Sequence, residues 1–234
     1  MATYYVSQNP GKVGDDGADG SLNAPWATLD YAQAQLSAGD ILYVAPGNYR
    51  ETVIWDVSGD ASNHIKMIGD PDLEQFGAAT ADYVSGVVRQ TFANENEFAQ
   101  EPASGVALQD LASREFIEIH NMYFDGSTNS EINNTTYQGT GIDQSNSRYQ
   151  NFVFNCMFQE LYRGVYQVYS VENCVFAFIQ YNGIFGNERV VNNIFHCIGG
   201  FGGAVNAATL VYQNIVIGCY YGIYNNERAY NNTI

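Results

Sequence analysis

Glu118 and His120 are the residues best placed for acid–base work. They alternate with Ile117 and Ile119, and a strand puts successive side chains on opposite faces. A carboxylate and an imidazole would then stand side by side on the outer face. Such a pair can move a proton, although a solvated strand face has the same composition. The three histidines, His64, His120 and His196, share no metal-ligand spacing. The string DDGADG gathers Asp15, Asp16 and Asp19 as part of a calcium loop would. It lacks the acid at the third position and the closing glutamate of an EF-hand, so it reads as a Gly/Asp turn or a site for a structural calcium. No other cofactor is indicated. Asn187-Glu188-Arg189 and Asn226-Glu227-Arg228 each put an acid next to a cation, which a local ion pair on a turn explains.

The elements that would position these groups show up as a repeat. GIFGNERVVNNIF begins at Gly183 and GIYNNERAYNNTI at Gly222. Glycine followed by a small apolar residue recurs at Gly141-Ile142, Gly164-Val165, Gly183-Ile184, Gly203-Ala204 and Gly222-Ile223. The repeat is therefore two turns of a unit of about twenty residues. Within a unit the apolar residues alternate, as in Val171, Asn173 and Val175, which is strand periodicity. Short strands without helices at that period predict an all-β parallel solenoid whose coils bury their inner side chains against one another.

An asparagine flanked by apolar residues recurs at Asn121, Asn155, Asn173, Asn193, Asn214 and Asn232. This ladder is expected to occupy left-handed bends, which asparagine and glycine tolerate, and to hydrogen-bond from coil to coil. Gly69 falls in the same slot. After each Gly-aliphatic pair the next residue should face solvent, giving an outer column of Asp143, Tyr166, Phe185 and Tyr224, with Val205 or Asn206 between. Contiguous exposed rings mark a surface for sugar or for another subunit, unless the register slips by one and turns them inward. Cys156, Cys174, Cys197 and Cys219 are expected to be reduced, packed thiols rather than disulfides.

The chain has 234 residues, 9 Lys+Arg against 25 Asp+Glu, and a net charge of -16. That balance repels nucleic acid and anionic membranes. No apolar stretch is long enough to span a bilayer, and MATYYVSQNPGK has no secretory-signal pattern. An extracellular or virion setting is expected, reached after removal of a signal or by lysis.

GDILYVAPGNYRETV (39–53), preceded by DGSLNAPWATLDYAQAQL (19–36), resembles the N-terminal signature of right-handed parallel β-helix proteins of the pectate-lyase-like superfamily. The resemblance implies an N-terminal strand and capping helix in 1–38, the helix running from about Ala24 to Leu36. The β-helix would fill 39–234, with loop insertions near 70–83, 90–102 and 126–138 and an uncapped C-terminal end. On this reading the natural chain continues past Ile234, or another chain covers the last coil. Many members of the superfamily act on acidic polysaccharides, but the Gly-His-Gly and Arg-Ile-Lys strings of polygalacturonases are absent, as is a recognisable lyase motif. Gly47–Glu51 matches the Gly-x-Tyr-x-Glu string of pectin methylesterases, a string that also serves as a packing motif. The missing signatures favour binding over catalysis. The expected protein is a virus-particle β-helix, such as a phage tail spike, fibre or capsid decoration protein. It would form a homo-oligomer, as a trimer, or contact other virion proteins or a surface polysaccharide. A polysaccharide lyase or hydrolase and a glycan-binding adhesin module are the alternatives.

Overall fold

Among the described residues, strands of two to five residues, separated by bends, wind into three parallel sheets of nine, seven and seven strands. The computed structural model describes residues 1–76, 86–91, 106–109, 114–126, 139–144, 150–196, 198–199 and 203–234. Each full coil runs through the first, second and third sheet in turn, as in Ser170–Glu172, Val175–Ala177 and Asn182–Phe185. The next coil repeats the path with Arg189–Val191, Ile194–His196 and Gly203–Asn206.

Period-two alternation sorts the side chains. In the first sheet Leu42, Met67, Ile119, Val153, Val171, Val190 and Val211 fall in one register row and are buried. In the second sheet Phe124, Phe158, Phe176 and Phe195 stack ring on ring at 4.9, 4.7 and 4.9 Å. The third sheet contributes Ile142, Val165, Ile184 and Val205, all fully buried. One residue of a column cannot shrink without leaving space beside its neighbours above and below.

The bend from the first to the second sheet corrects the expected asparagine ladder. Asn121, Asn155 and Asn173 do take positive φ, at 56°, 54° and 57°. In the later coils the left-handed residues are Asn192, Gln213 and Asn231. Asn193, Asn214 and Asn232 lie one position further on. There they form a second column, in which the Nδ2 of Asn193 donates to Asn214 Oδ1 and that of Asn214 to Asn232 Oδ1. The backbone N–H groups of Cys174, Asn193 and Asn214 each donate to the Oδ1 of the next coil's asparagine. Cys156 and Cys174 occupy this inner slot in the earlier coils as buried thiols, and neither they nor Cys219 form a disulfide. Cys197 lies outside the described residues. Gly69 does occupy the bend slot opposite Asn121, but without a positive φ. Glycine is needed there for space, because a Cβ would collide with the Asn121 carbonyl oxygen.

The N-terminal helix is shorter than expected, Leu29–Ala34, because Ala24 and Trp26 are tied into bridges to Ser21 and Val6 and the chain turns helical only after the extended Thr28. Trp26 bridges to Val6, stacks on Tyr4 at 4.9 Å and is buried. Thr28 caps the helix, its hydroxyl accepting the Tyr31 N–H, and the Glu51 carboxylate accepts the N–H groups of Leu29 and Asp30. Of the expected insertion at 70–83, residues 70–76 fold back over the outer face of the first sheet. Phe76 is buried there against Tyr5, and Asp70 accepts the N–H groups of Glu74 and Gln75. Residues 77–83, 92–102 and 127–138 of the three insertions lie outside the described residues.

Candidate functional site

The glycine positions of the repeat govern what the third sheet shows to the outside. At Gly164 a Cβ would meet the Gly183 oxygen at 2.5 Å and the Phe176 ring at 2.6 Å, so each glycine lets a strand lie close over the phenylalanine stack. In the coil between, that slot holds Ala204 rather than Gly203, since Val205 pairs with Ile184 and Asn206 with Phe185. The outer column is therefore Asp143, Tyr166, Phe185, Asn206 and Tyr224, in consecutive register and half-buried. The Tyr166 and Phe185 rings stack at 5.3 Å and 11°. The register has not slipped.

A second set of rings, which the sequence reading missed, flanks this column. Tyr162 and Tyr181 stack at 5.3 Å and 3°. Arg163 and Asn182 follow them as register partners, and the Arg163 guanidinium lies 5.2–5.4 Å from the rings of Tyr162, Tyr166 and Tyr181. Gly203 continues the Arg163–Asn182 row, and a side chain built there would run onto Tyr221 and Tyr224. Tyr220, Tyr221 and Tyr224 form a further cluster, with centroids at 4.8 and 5.7 Å. Burial raises the Tyr224 pKa, with Tyr181 and Tyr221 adding to the shift, so its phenol stays protonated. The signal was in the sequence: a tyrosine stands two residues before Gly164, Gly183 and Gly222.

Several polar groups beside these rings have no hydrogen-bond partner among the described residues. Asn182 is fully buried, yet neither its Oδ1 nor its Nδ2 is paired. The Nε of Arg163 and the Oε1 of Gln180, two residues before Asn182, are also unpaired. Unmet buried polar atoms are costly and uncommon, so their concentration in Gln180, Asn182 and the ring-flanked Arg163 marks a place built for a polar partner.

Glu118 and His120 do meet on the outer face of the first sheet, with two further groups. The two Glu118 oxygens lie 2.8 Å from His64 Nδ1 and 2.9 Å from His120 Nε2, and Lys66 Nζ is 3.2 Å away. His64 stacks on Phe152 and His120 on Phe154. The bond to His120 pulls the Glu118 pKa down to about 2, against the opposing effect of burial, with His64 and Lys66 adding to the fall. A carboxylate that acidic stays ionised at neutral pH, so it has no proton to donate and is a weak base. The arrangement ties adjacent coils together.

The remaining candidates serve turns. Asp15 accepts the Gly17 N–H, Asp19 the Ser21 N–H, and Asp16 the N–H groups of Ala27 and Thr28. Among the described residues no group of three or more His, Cys, Asp or Glu is arranged to hold a metal. In the Gly-x-Tyr-x-Glu string, the buried Tyr49 hydroxyl accepts the Gln8 N–H and reaches the Ala45 carbonyl, while Glu51 caps the helix. The string packs the N-terminal end.

No protein-family profile and no curated protein matches the sequence. Solved structures do match. A GH136 lacto-N-biosidase from Eubacterium ramulus aligns with TM-score 0.59 and 15% identity over 93% of this chain and 45% of its own. Pectate lyase Pel9A aligns with TM-score 0.56 and 14% identity over 99% of this chain and 70% of its own. The fold is a pectate-lyase-like parallel β-helix. At these identities the likeness extends to the fold alone, and the chain spans under half the length of the lacto-N-biosidase. What this β-helix offers of its own is the aromatic trough of the third sheet, on a different face from the Glu118 cluster.

Proposed function

We propose that this chain is a carbohydrate-binding β-helix whose third sheet docks sugar rings on its outer face. The observation that carries the reading is the pair of ring stacks, Tyr162–Tyr181 and Tyr166–Phe185, on either side of Arg163 and Asn182. Aromatic faces take the apolar faces of pyranose rings, and polar groups between them fix orientation. Coils repeat at about 4.8 Å, the scale of one sugar ring, which suits a chain of linked sugars laid along the solenoid. Both solved structures above are named for carbohydrate-active enzymes, which supports a sugar as the ligand. Catalysis is not proposed, because the described acid–base pair stands on another sheet with its carboxylate held ionised.

The test replaces Tyr166, Phe185 and Tyr224 together with serine and measures retention on polysaccharide affinity gels beside circular dichroism. Lost retention with an unchanged spectrum is expected. In the subunit-contact reading, in which a homotrimer or virion partner covers the same column, the variant changes oligomeric mass and leaves retention alone. That result would overturn the proposal.

A further inference from the structure

From the hydrogen-bond inventory of the trough we infer that its ligand is a neutral glycan, one that presents hydroxyl or acetamido groups and no charge. The inference rests on the sugar-binding reading and narrows it. Asn182 Oδ1 and Gln180 Oε1 are buried acceptors without donors, and Asn182 Nδ2 is a buried donor without an acceptor. A hydroxyl supplies both roles and an acetamido group supplies an N–H, whereas a carboxylate or sulfate ester brings acceptors only. A charged group turned toward these amides would leave both oxygens unmet, and a buried acceptor stripped of water and partner weakens binding.

Charge argues the same way. Among the described residues of this face Arg163 is the cation, and three tyrosine rings surround its guanidinium. Asp143 stands in the same outer column as Tyr166. The chain as a whole carries -16 at pH 7, so a polyanion approaches against the field of the protein. A neutral chain meets no such barrier, and its ring faces still stack on the tyrosines.

The experiment titrates the full chain by calorimetry with two sets of oligosaccharides, neutral glucans, mannans and N-acetylated chains in one and polyuronates in the other. Each set is measured at about 20 mM and about 300 mM salt. A neutral oligosaccharide should bind with an affinity that changes less than about twofold between the two salts, and at least about tenfold more tightly than any polyuronate. Asn182→Leu, which removes the unmet amide at similar volume, should abolish that binding while melting no lower than the parent. Binding confined to polyuronates would overturn this inference and leave the sugar-binding reading standing. Binding of neither set would overturn both. An Asn182→Leu chain that binds as tightly as the parent would remove the amide from the argument and with it the inference.

Discussion

Asn214 is the sharpest place to test how the coils are held together. It is buried, and its side chain joins three coils. Its Oδ1 accepts the backbone N–H of Asn193 at 2.8 Å and the Asn193 Nδ2 at 3.1 Å. Its Nδ2 donates to Val190 O and Tyr212 O, and to Asn232 Oδ1 at 3.0 Å. Asn214→Ala strips a buried backbone N–H and a buried amide of their acceptor. At about 1–3 kcal/mol for each of the two groups left unmet, the loss should be about 2–6 kcal/mol. Asn155, in the bend slot, is exposed with φ 54°, so Asn155→Ala should cost only about 1–2 kcal/mol of left-handed strain. Asn155→Gly should then be near neutral. Because Asn214 has no positive φ, Asn214→Gly should be at least as damaging as the alanine variant. Urea unfolding of the four variants, followed by circular dichroism, reads all of this. If glycine rescues at 214 as it does at 155, the two columns are one and the assignment of an inner ladder is wrong.

Further predictions follow from the same packing. Phe176→Ala opens a hole between the Phe158 and Phe195 rings and should destabilise by about 3–5 kcal/mol in the same assay, with Phe176→Leu milder. A Phe176→Ala loss below about 1 kcal/mol would mean that the ring stack is not the core of the second sheet. The folded-state pKa of Glu118, at about 2, lies below the ordinary glutamate value of 4.5, so its stabilisation is complete above that ordinary value. It is lost as pH falls towards 2, and Glu118→Gln should flatten that acid limb of the melting profile. Parallel acid limbs for parent and variant would refute the clamp between coils.

The fold was legible because a solenoid writes its period into the chain. Gly141, Gly164 and Gly183 mark successive coils and Gly222 the next but one, and alternation around Ile119 and Val171 sorts inside from outside. The outer column was legible for the same reason, down to the half-buried Tyr166 and Phe185. What failed was resolution to a single residue at bends. Asn192-Asn193 and Asn231-Asn232 are doublets, and either member satisfies an asparagine pattern while only the first takes the left-handed bend. Insertions of one or two residues between coils hid the same offset at Gly203-Ala204. Contacts between coils are not periodic in sequence, so Glu118 drawing in His64 and Lys66 could not be read from spacing. Helix length failed at Trp26, whose burial against Tyr4 overrides the helical preference of the alanines around it.

The central claim is that the third-sheet trough holds a sugar chain, and a crystal structure of the full chain with a bound oligosaccharide tests it most directly. The account predicts sugar rings stacked on Tyr166, Phe185 and the Tyr162–Tyr181 pair, with a hydroxyl within hydrogen-bond reach of Asn182. Sugar density on the first-sheet face around Glu118 and His120, with the tyrosine trough empty, would contradict it.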